Sequence, residues 1–166
     1  MILSTGRLVK QKNFELLIDV VKKVREKREV ELLIIGNGNR EKILKKRISN
    51  SNFIKIINWK KDLSDYYKRS NLYIMSSFYE GSPNVLLDSI NNSTPILASN
   101  CSGVSDIIGK DKGYTFKNND ENDLYKKLIN IIDNYEPAIN RAKLAHKNLK
   151  KFSINNSKNY LNIFNK

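Results

Sequence analysis

Short blocks of apolar residues recur along the chain, each followed by a stretch in which apolar positions return every three to four residues. Ile2-Leu3-Ser4-Thr5 predicts a first strand. Phe14, Leu17, Ile18, Val21 and Val24 then share one face of a helix of about four turns. Val30 to Ile35 predicts a second strand, closed by Gly36-Asn37-Gly38. A short basic helix over about Arg40 to Ile48 turns Ile43, Leu44 and Ile48 inward. Phe53 to Ile57 predicts a third strand, and Asp62 caps a short helix running through Lys68. Leu72 to Ser76 and Pro95 to Ser99 predict a fourth and a fifth strand. Between those two, Ser82 at the cap and Pro83 at the first helical position start a helix. Tyr114 to Phe116 adds a small strand. Three further helices are expected over about Asn122 to Tyr135, Pro137 to Lys150 and Ser153 to Phe164.

Strands of this kind alternating with helices predict a parallel sheet covered on both faces. Right-handed crossovers make it a doubly wound, Rossmann-like α/β domain of about six strands, ending in C-terminal helices. Residues 1–166 read as a single domain without internal repeat or low-complexity linker. Ligands of such sheets sit beyond the carboxyl ends of the strands. Candidate chemistry is therefore sought in the loops that follow the strands.

The composition narrows the partner class. Lys and Arg number 30 against 17 Asp and Glu, a formal net charge of +13. That balance favours anionic partners: phosphates, nucleic acid or an acidic membrane surface. The one Cys, Cys101, and the one His, His146, exclude a disulfide framework and an ordinary structural zinc site. No apolar run approaches the roughly 18 residues that span a bilayer. A soluble, cytosolic chain is expected, and no metal site.

The loop after the first strand is Gly6-Arg7-Leu8-Val9-Lys10-Gln11-Lys12-Asn13. Arg7 offers a planar fork of donors and Lys12 a point charge beside a helix start, a fitting site for a diphosphate. A solvated basic loop is the other reading. Gly36-Asn37-Gly38-Asn39-Arg40-Glu41 begins like a dinucleotide fingerprint, but Glu41 stands at the third glycine position and the turn follows the second strand. It reads as a tight turn or one that admits a ligand. The loop after the fourth strand carries Glu80 at a strand exit and Asp88 eight positions on, with Asn84 and Asp88 sharing a helix face. Asp88 suits a vicinal diol and Glu80 suits sugar hydroxyls. The alternative makes Glu80 a solvated loop acid and puts Asp88 on the wet face of its helix. No P-loop, no Gly-x-Ser-x-Gly elbow and no Asp-x-Asp pair occurs, which argues against a P-loop NTPase, an α/β-hydrolase and the simplest way of holding a divalent ion on a diphosphate.

Taken in order, several segments resemble the C-terminal, donor-binding half of family 4 glycosyltransferases, which have the two-domain GT-B fold. They are Gly6-Arg7-Leu8 to Lys12-Asn13, Gly36-Asn37-Gly38, Ser76-Ser77-Phe78-Tyr79-Glu80-Gly81, Thr94-Pro95-Ile96-Leu97-Ala98 and Ser102-Gly103-Val104-Ser105-Asp106-Ile107-Ile108. The family's acid pair, Glu then seven residues then Glu, stands here as Glu80 and Asp88. The resemblance implies a nucleotide-diphosphate sugar as donor and retaining transfer that needs no metal. Arg7 and Lys12 match the family's diphosphate-binding pair, Glu80 the acid that holds sugar hydroxyls, and Asp88 the acid that grips the ribose diol. The backbone of Ser82, Pro83, Asn84 and Val85 matches positions near the sugar and phosphate, and Gly6, Gly36 and Gly81 are carried over as substrate-binding positions. Ile57, Asn58 and Trp59 fall where the base lies. Trp59 stacks on that base or covers the edge of the sheet. Two residues depart from the pattern: Asp88 is one methylene shorter than Glu, and Asn58 stands where glycine is common.

The resemblance also implies an N-terminal acceptor-binding domain outside these residues, in cis or in trans. The chain is expected to be incomplete as an enzyme alone, or else an inactive or partner-dependent nucleotide-sugar-binding fragment. A basic nucleic-acid-binding module with Tyr66, Tyr67, Tyr73 and Tyr79 is a rival of another class. Against it, the cations spread over many helices and no helix-turn-helix or RNP-like signature occurs, so nucleic acid is not an expected partner. Lys22 to Arg28, Arg40 to Arg47 and Lys147 to Lys151 read as solvated helix faces, part of which suits an anionic membrane surface at the inner face of the membrane. Tyr160, Leu161 and Phe164 predict an apolar stripe on the last helix, left exposed or paired with another copy.

Overall fold

The computed structural model describes the backbone of residues 1–109 and 111–164 and the side chains of 1–109 and 111–149. Six strands form one sheet in the order β3-β2-β1-β4-β5-β6. They are β1 (Ile2–Thr5), β2 (Leu32–Ile35), β3 (Ile54–Ile57), β4 (Leu72–Met75), β5 (Ile96–Asn100) and β6 (Tyr114–Lys117), and every neighbouring pair is parallel. The order reverses between β1 and β4, which makes that gap the switch point of the sheet. The doubly wound α/β expectation is met.

Helices α1 (Phe14–Arg25), α2 (Glu41–Arg47), α3 (Ser64–Arg69), α4 (Asn84–Asn91), α5 (Val104–Ile108), α6 (Glu121–Asp133) and α7 (Tyr135–Phe164) cover the sheet. On one face Phe14, Leu17, Ile18, Val21 and Val24 of α1 pack with Leu124, Leu128 and Ile131 of α6 over Ile2, Leu32 and Ile34. On the other, Leu86 and Ile90 of α4, Val104 and Ile108 of α5 and Ala145 of α7 pack over Leu3, Ile35, Tyr73 and Met75. Alternate residues of one strand serve opposite layers, as Ile2 and Leu3 do. Burial on both sides explains why the strands read as unbroken apolar runs.

Three local expectations are corrected, and one short helix is added. Ile43 is exposed, not inward, because α2 buries only Leu44 against the sheet. Ser82 does not cap α4. Pro83 occupies the cap position at φ −78°, ψ 82°, and the first helical residue is Asn84. The 81–83 segment is held off helical geometry by packing on Gly103, where an added Cβ would lie 2.6 Å from Gly81 O and 3.3 Å from Pro83 Cδ. The segment from Val104 to Ile108 is a short helix, too brief for its period to show in the sequence. The two helices expected over 137–150 and 153–164 are one, α7, which also starts ahead of Pro137; that proline lies in the first turn, where a missing N–H costs nothing. Asp62 acts as foreseen in part: from one residue before the cap position, Leu63, its Oδ1 accepts from the N–H of Ser64, the first helical residue, at 2.9 Å. The stripe of Tyr160, Leu161 and Phe164 lies outside the described side chains. Among the described residues no helix is long and apolar enough to cross a membrane.

Two glycines are required by close backbone approach. A Cβ on Gly36 would stand 1.8 Å from Gly6 O, and one on Gly38 2.4 Å from Leu8 O. The turn after β2 therefore lies against the loop after β1. Gly36→Ala is expected to destabilise the fold by at least about 2 kcal/mol, as overpacking against main chain does. Urea unfolding should show a lowered midpoint with an unchanged slope; an unchanged midpoint would contradict the contact.

Candidate functional site

The site is built at the carboxyl edge of the sheet, across the switch point. From the β1 side comes the loop through Gly6, Arg7 and Lys12; from the β4 side comes Ser76 to Glu80. The two are bound together by main-chain groups and short polar side chains. Ser76 Oγ donates to Lys12 O at 2.8 Å, and the Phe78 N–H donates to Gln11 O at 2.8 Å. Gln11 Nε2 donates to Tyr79 O at 2.8 Å, and Asn118 Nδ2 donates to Phe78 O. Behind them Ser99 Oγ donates to Ser77 O at 2.6 Å. Asn13 holds the left-handed conformation at φ 48° and donates through Nδ2 to Asn119 Oδ1 at 3.1 Å.

This scaffold brings Lys12 and Glu80 into contact: Nζ to Oε1 is 2.6 Å, with side chains 15% and 9% exposed. Gly6 supports the pair, since a Cβ there would meet Lys12 Cε at 3.2 Å. Cys101 belongs to the same neighbourhood. Burial pushes its thiol up; the Glu80 carboxylate pushes the same way, against the Ser99 hydroxyl and the Lys12 ammonium.

Arg7 extends its exposed side chain beside Gly6, Asn37 and Trp59, and these four line a cavity of about 390 Å³. The Trp59 N–H donates to Asn37 Oδ1 at 2.9 Å, while the indole is 60% exposed. Asn58 is exposed beside it, and Gly36 is buried beneath, its N–H donating to Ile57 O at 3.0 Å. Gly81, Ser82 and Asn84 are exposed, Val85 is half-buried and Pro83 is buried.

Asp88 stands elsewhere. It lies on the exposed side of α4 and lines a second, polar cavity of about 200 Å³ with Lys61, Asp62, Ser64 and Tyr67. Lys12 meets Glu80, Arg7 lines the first cavity and Asp88 the second. Tyr67, which lines the Asp88 cavity, reaches Thr5 Oγ1 with its hydroxyl at 3.3 Å and donates to Val85 O at 3.4 Å, bridging the end of β1 and α4. Tyr73 adds its hydroxyl to Thr5 Oγ1 at 3.2 Å. Burial raises both phenols, Tyr67 to about 12, so they remain neutral donors. The segment from Trp59 to Asp62 borders both cavities.

The sequence reading missed Thr5, Gln11, Asn13, Ser76, Ser99 and Asn118 as the residues that position this site. A signal was present: hydroxyl residues sit at the carboxyl ends of β1, β4 and β5, where apolar side chains would otherwise be expected. Among the described residues no three of His, Cys, Asp and Glu converge as a metal-ligand set.

The sequence model described as glycosyl transferases group 1 matches residues 1–151. The chain belongs to that family. It is 36% identical over 154 residues to the amylovoran biosynthesis glycosyltransferase AmsD of Erwinia amylovora, covering 89% of this chain and 42% of that protein. It is 32% identical over 135 residues to the O-antigen biosynthesis glycosyltransferase WbnH of Escherichia coli, covering 81% of this chain and 38% of that one. Among solved structures, Staphylococcus aureus TarM superposes with a TM-score of 0.83 at 25% identity, over 99% of this chain and 35% of TarM. HepE of Anabaena in complex with UDP and glucose superposes with a TM-score of 0.81 at 16% identity, over 88% of this chain and 42% of HepE, a likeness of fold. This group 1 glycosyl transferase chain spans about two fifths of the length of the curated relatives it matches.

Partial burial raises the Asp88 carboxyl above its ordinary value, and among the described residues no side-chain donor meets it. A carboxyl raised on folding weakens the fold where it is ionised. Below the unfolded value, near about 4, both states are protonated and Asp88 is neutral to stability; above the folded value the carboxylate opposes folding in full. Asp88→Asn should therefore stabilise the chain at neutral pH, by no more than about 0.5 kcal/mol for so exposed a group. The gain should vanish as pH falls through the aspartate range. A gain that persists at acid pH, in thermal unfolding across pH, would rule out this origin.

Proposed function

We propose that the chain is the C-terminal, donor-binding half of a retaining glycosyltransferase. It binds a nucleoside-diphosphate sugar and serves polysaccharide, lipopolysaccharide or other glycan synthesis. One observation carries this reading: in a member of the group 1 family, Lys12 and Glu80 meet across the switch point of the sheet, with Arg7 beside a ligand-sized cavity. The relatives' named roles in amylovoran and O-antigen synthesis, and the HepE complexes with UDP and sugar, support it.

Arg7 and Lys12 meet the diphosphate. They offset the charge that builds on it as the bond to the anomeric carbon breaks, so that no metal is needed. Glu80 accepts from sugar hydroxyls, and the main chain of Gly81 to Val85 lies along the sugar and phosphates. Trp59 and Asn58 shape the place of the base, and Gly6 and Gly36 form the turns beside it. Asp88, in the adjoining polar cavity, takes the ribose diol. The acceptor hydroxyl attacks on the face from which the diphosphate departs, forming its bond to the anomeric carbon and passing its proton to the leaving phosphate, so the anomeric configuration is retained. The protein's part is positioning and charge, with no covalent intermediate. A second domain, in cis or in trans, brings the acceptor. The site faces the cytoplasm, and exposed cations such as Lys27, Lys42 and Lys46 suit an anionic membrane surface.

Calorimetric titration with UDP, GDP and ADP and with their glucose forms tests the reading. One nucleotide series is expected to bind, and silence from all at millimolar concentration would reject it. Arg7→Ala, at an exposed side chain that the fold does not need, should weaken the free and sugar-bearing nucleotides alike by about 1.5–3 kcal/mol. Equal affinity for wild type and variant would remove Arg7 from the diphosphate site.

A further inference from the structure

An ion pair at the centre of a ligand crevice competes with any ligand that requires one of its halves. Lys12 and Glu80 are nearly buried and in contact at 2.6 Å. Their backbones are fixed by the Ser76 to Lys12 and Phe78 to Gln11 bonds, so the loops cannot simply part when the side chains do. The stem of Lys12 lies over Gly6, which also lines the Arg7 cavity, so an anion held there would compete with Glu80 for the Lys12 ammonium. Withdrawal leaves the Glu80 carboxylate poorly solvated and without its cation. Breaking a buried pair by removing one partner costs more than the pair contributes when intact. Among the described residues, Lys12 is the cation that pairs with Glu80. The side chain of Cys101, close by, is a weak donor that burial keeps protonated.

We propose that the Lys12–Glu80 pair discriminates between a loaded and a spent donor: the crevice prefers a nucleoside diphosphate that carries a sugar, because the sugar's hydroxyls replace Lys12 at Glu80. The inference rests on the donor-binding reading above and assigns its acid and cation a joint role in selectivity. A free nucleoside diphosphate draws off the ammonium and leaves an orphaned carboxylate facing its own phosphates. A sugar nucleotide draws off the same ammonium and supplies two or more hydroxyl donors in exchange. Once the sugar has been transferred, Lys12 returns to Glu80 and the diphosphate is displaced, so the pair favours release of the product.

The test is calorimetric titration of wild type, Glu80→Gln and Glu80→Asp with UDP, GDP and ADP and with their glucose forms. Wild type should bind the sugar form of one nucleotide more tightly than the free form. Both variants should bind the free nucleoside diphosphate about tenfold or more tightly than wild type does, with no gain for the sugar form, so that the preference collapses. Glu80→Asp keeps the charge and shortens the reach by one methylene, which separates loss of the pair from loss of simple repulsion. A gain in Glu80→Gln alone assigns the effect to repulsion and overturns the proposal, as does unchanged or weaker binding of the free nucleotide in both. If a variant does not fold, as judged by circular dichroism, wild type decides: equal or tighter binding of the free nucleotide overturns the proposal. Wild type that binds none of the six ligands sinks the donor-binding reading as well. Wild type that binds while the variants behave like it sinks only the role of the pair.

Discussion

Main-chain hydrogen bonds on both flanks of the loop from Gly6 to Asn13 hold the carboxyl edge of the sheet together. On one side the Gly6 N–H donates to Ile35 O at 3.0 Å, the Leu8 N–H to Asn37 O at 2.8 Å and the Arg40 N–H to Leu8 O at 2.9 Å. On the other the Phe78 N–H donates to Gln11 O at 2.8 Å. Each such bond adds only about 0.5–1.5 kcal/mol, but a donor or acceptor left unmet beneath the loop costs more, so the set tends to be kept or lost together. Because the loop joins the turn after β2 to the segment after β4, it sets the places of Arg7, Lys12 and Glu80. The glycines at 36 and 38 are the condition for it: any side chain there would meet main chain.

The cationic surface is a separate matter. Arg28 pairs with Asp133, Arg47 with Asp19, Arg40 with Glu15 and Lys23 with Glu121. These pairs fasten α2 and α6 to α1 and the turn after it; all but the partly buried Arg40–Glu15 pair lie at the surface, where an ion pair contributes little and salt screens it. Lys12 and Glu80 have the same chemistry with the opposite balance, because burial removes the water that would otherwise receive a separated charge. Of the pairs formed, this one resists separation unless something replaces a partner. A ligand bearing both phosphate and hydroxyl groups does that.

The layers of the fold were legible because burial on both faces of a parallel sheet writes itself as apolar runs, and α1 writes its period as Phe14, Leu17, Ile18, Val21 and Val24. Boundaries moved by one or two residues where tertiary contact overrode local preference, as at Pro83 against Gly103. The charged residues of the candidate site were legible as loop residues at strand ends. Their grouping was not. Asp88 follows Glu80 by eight positions, and that spacing says nothing of the Tyr67 side chain, which arrives from α3 and bridges the end of β1 and α4. Gln11 and Asn118 were equally hidden, since each acts on a main-chain oxygen of a segment distant in sequence.

The polar groups at this edge contrast with the apolar layers beneath them. Ser77 Oγ is buried without a hydrogen-bond partner among the described residues. Asp88 keeps a carboxyl that burial disfavours, and Lys12 and Glu80 keep opposite charges where solvation is poor. An apolar side chain at any of these positions would fit the requirements of packing at least as well. Concessions of this kind, at the carboxyl edge and on the α4 surface that adjoins it, belong with ligand chemistry, not with the stability of the fold. They also differ in kind. Ser77 and Asp88 each carry an unmet need, and a ligand that satisfied it would gain by doing so. Lys12 and Glu80 satisfy each other, so a ligand must first undo that contact and gains only if it replaces both halves.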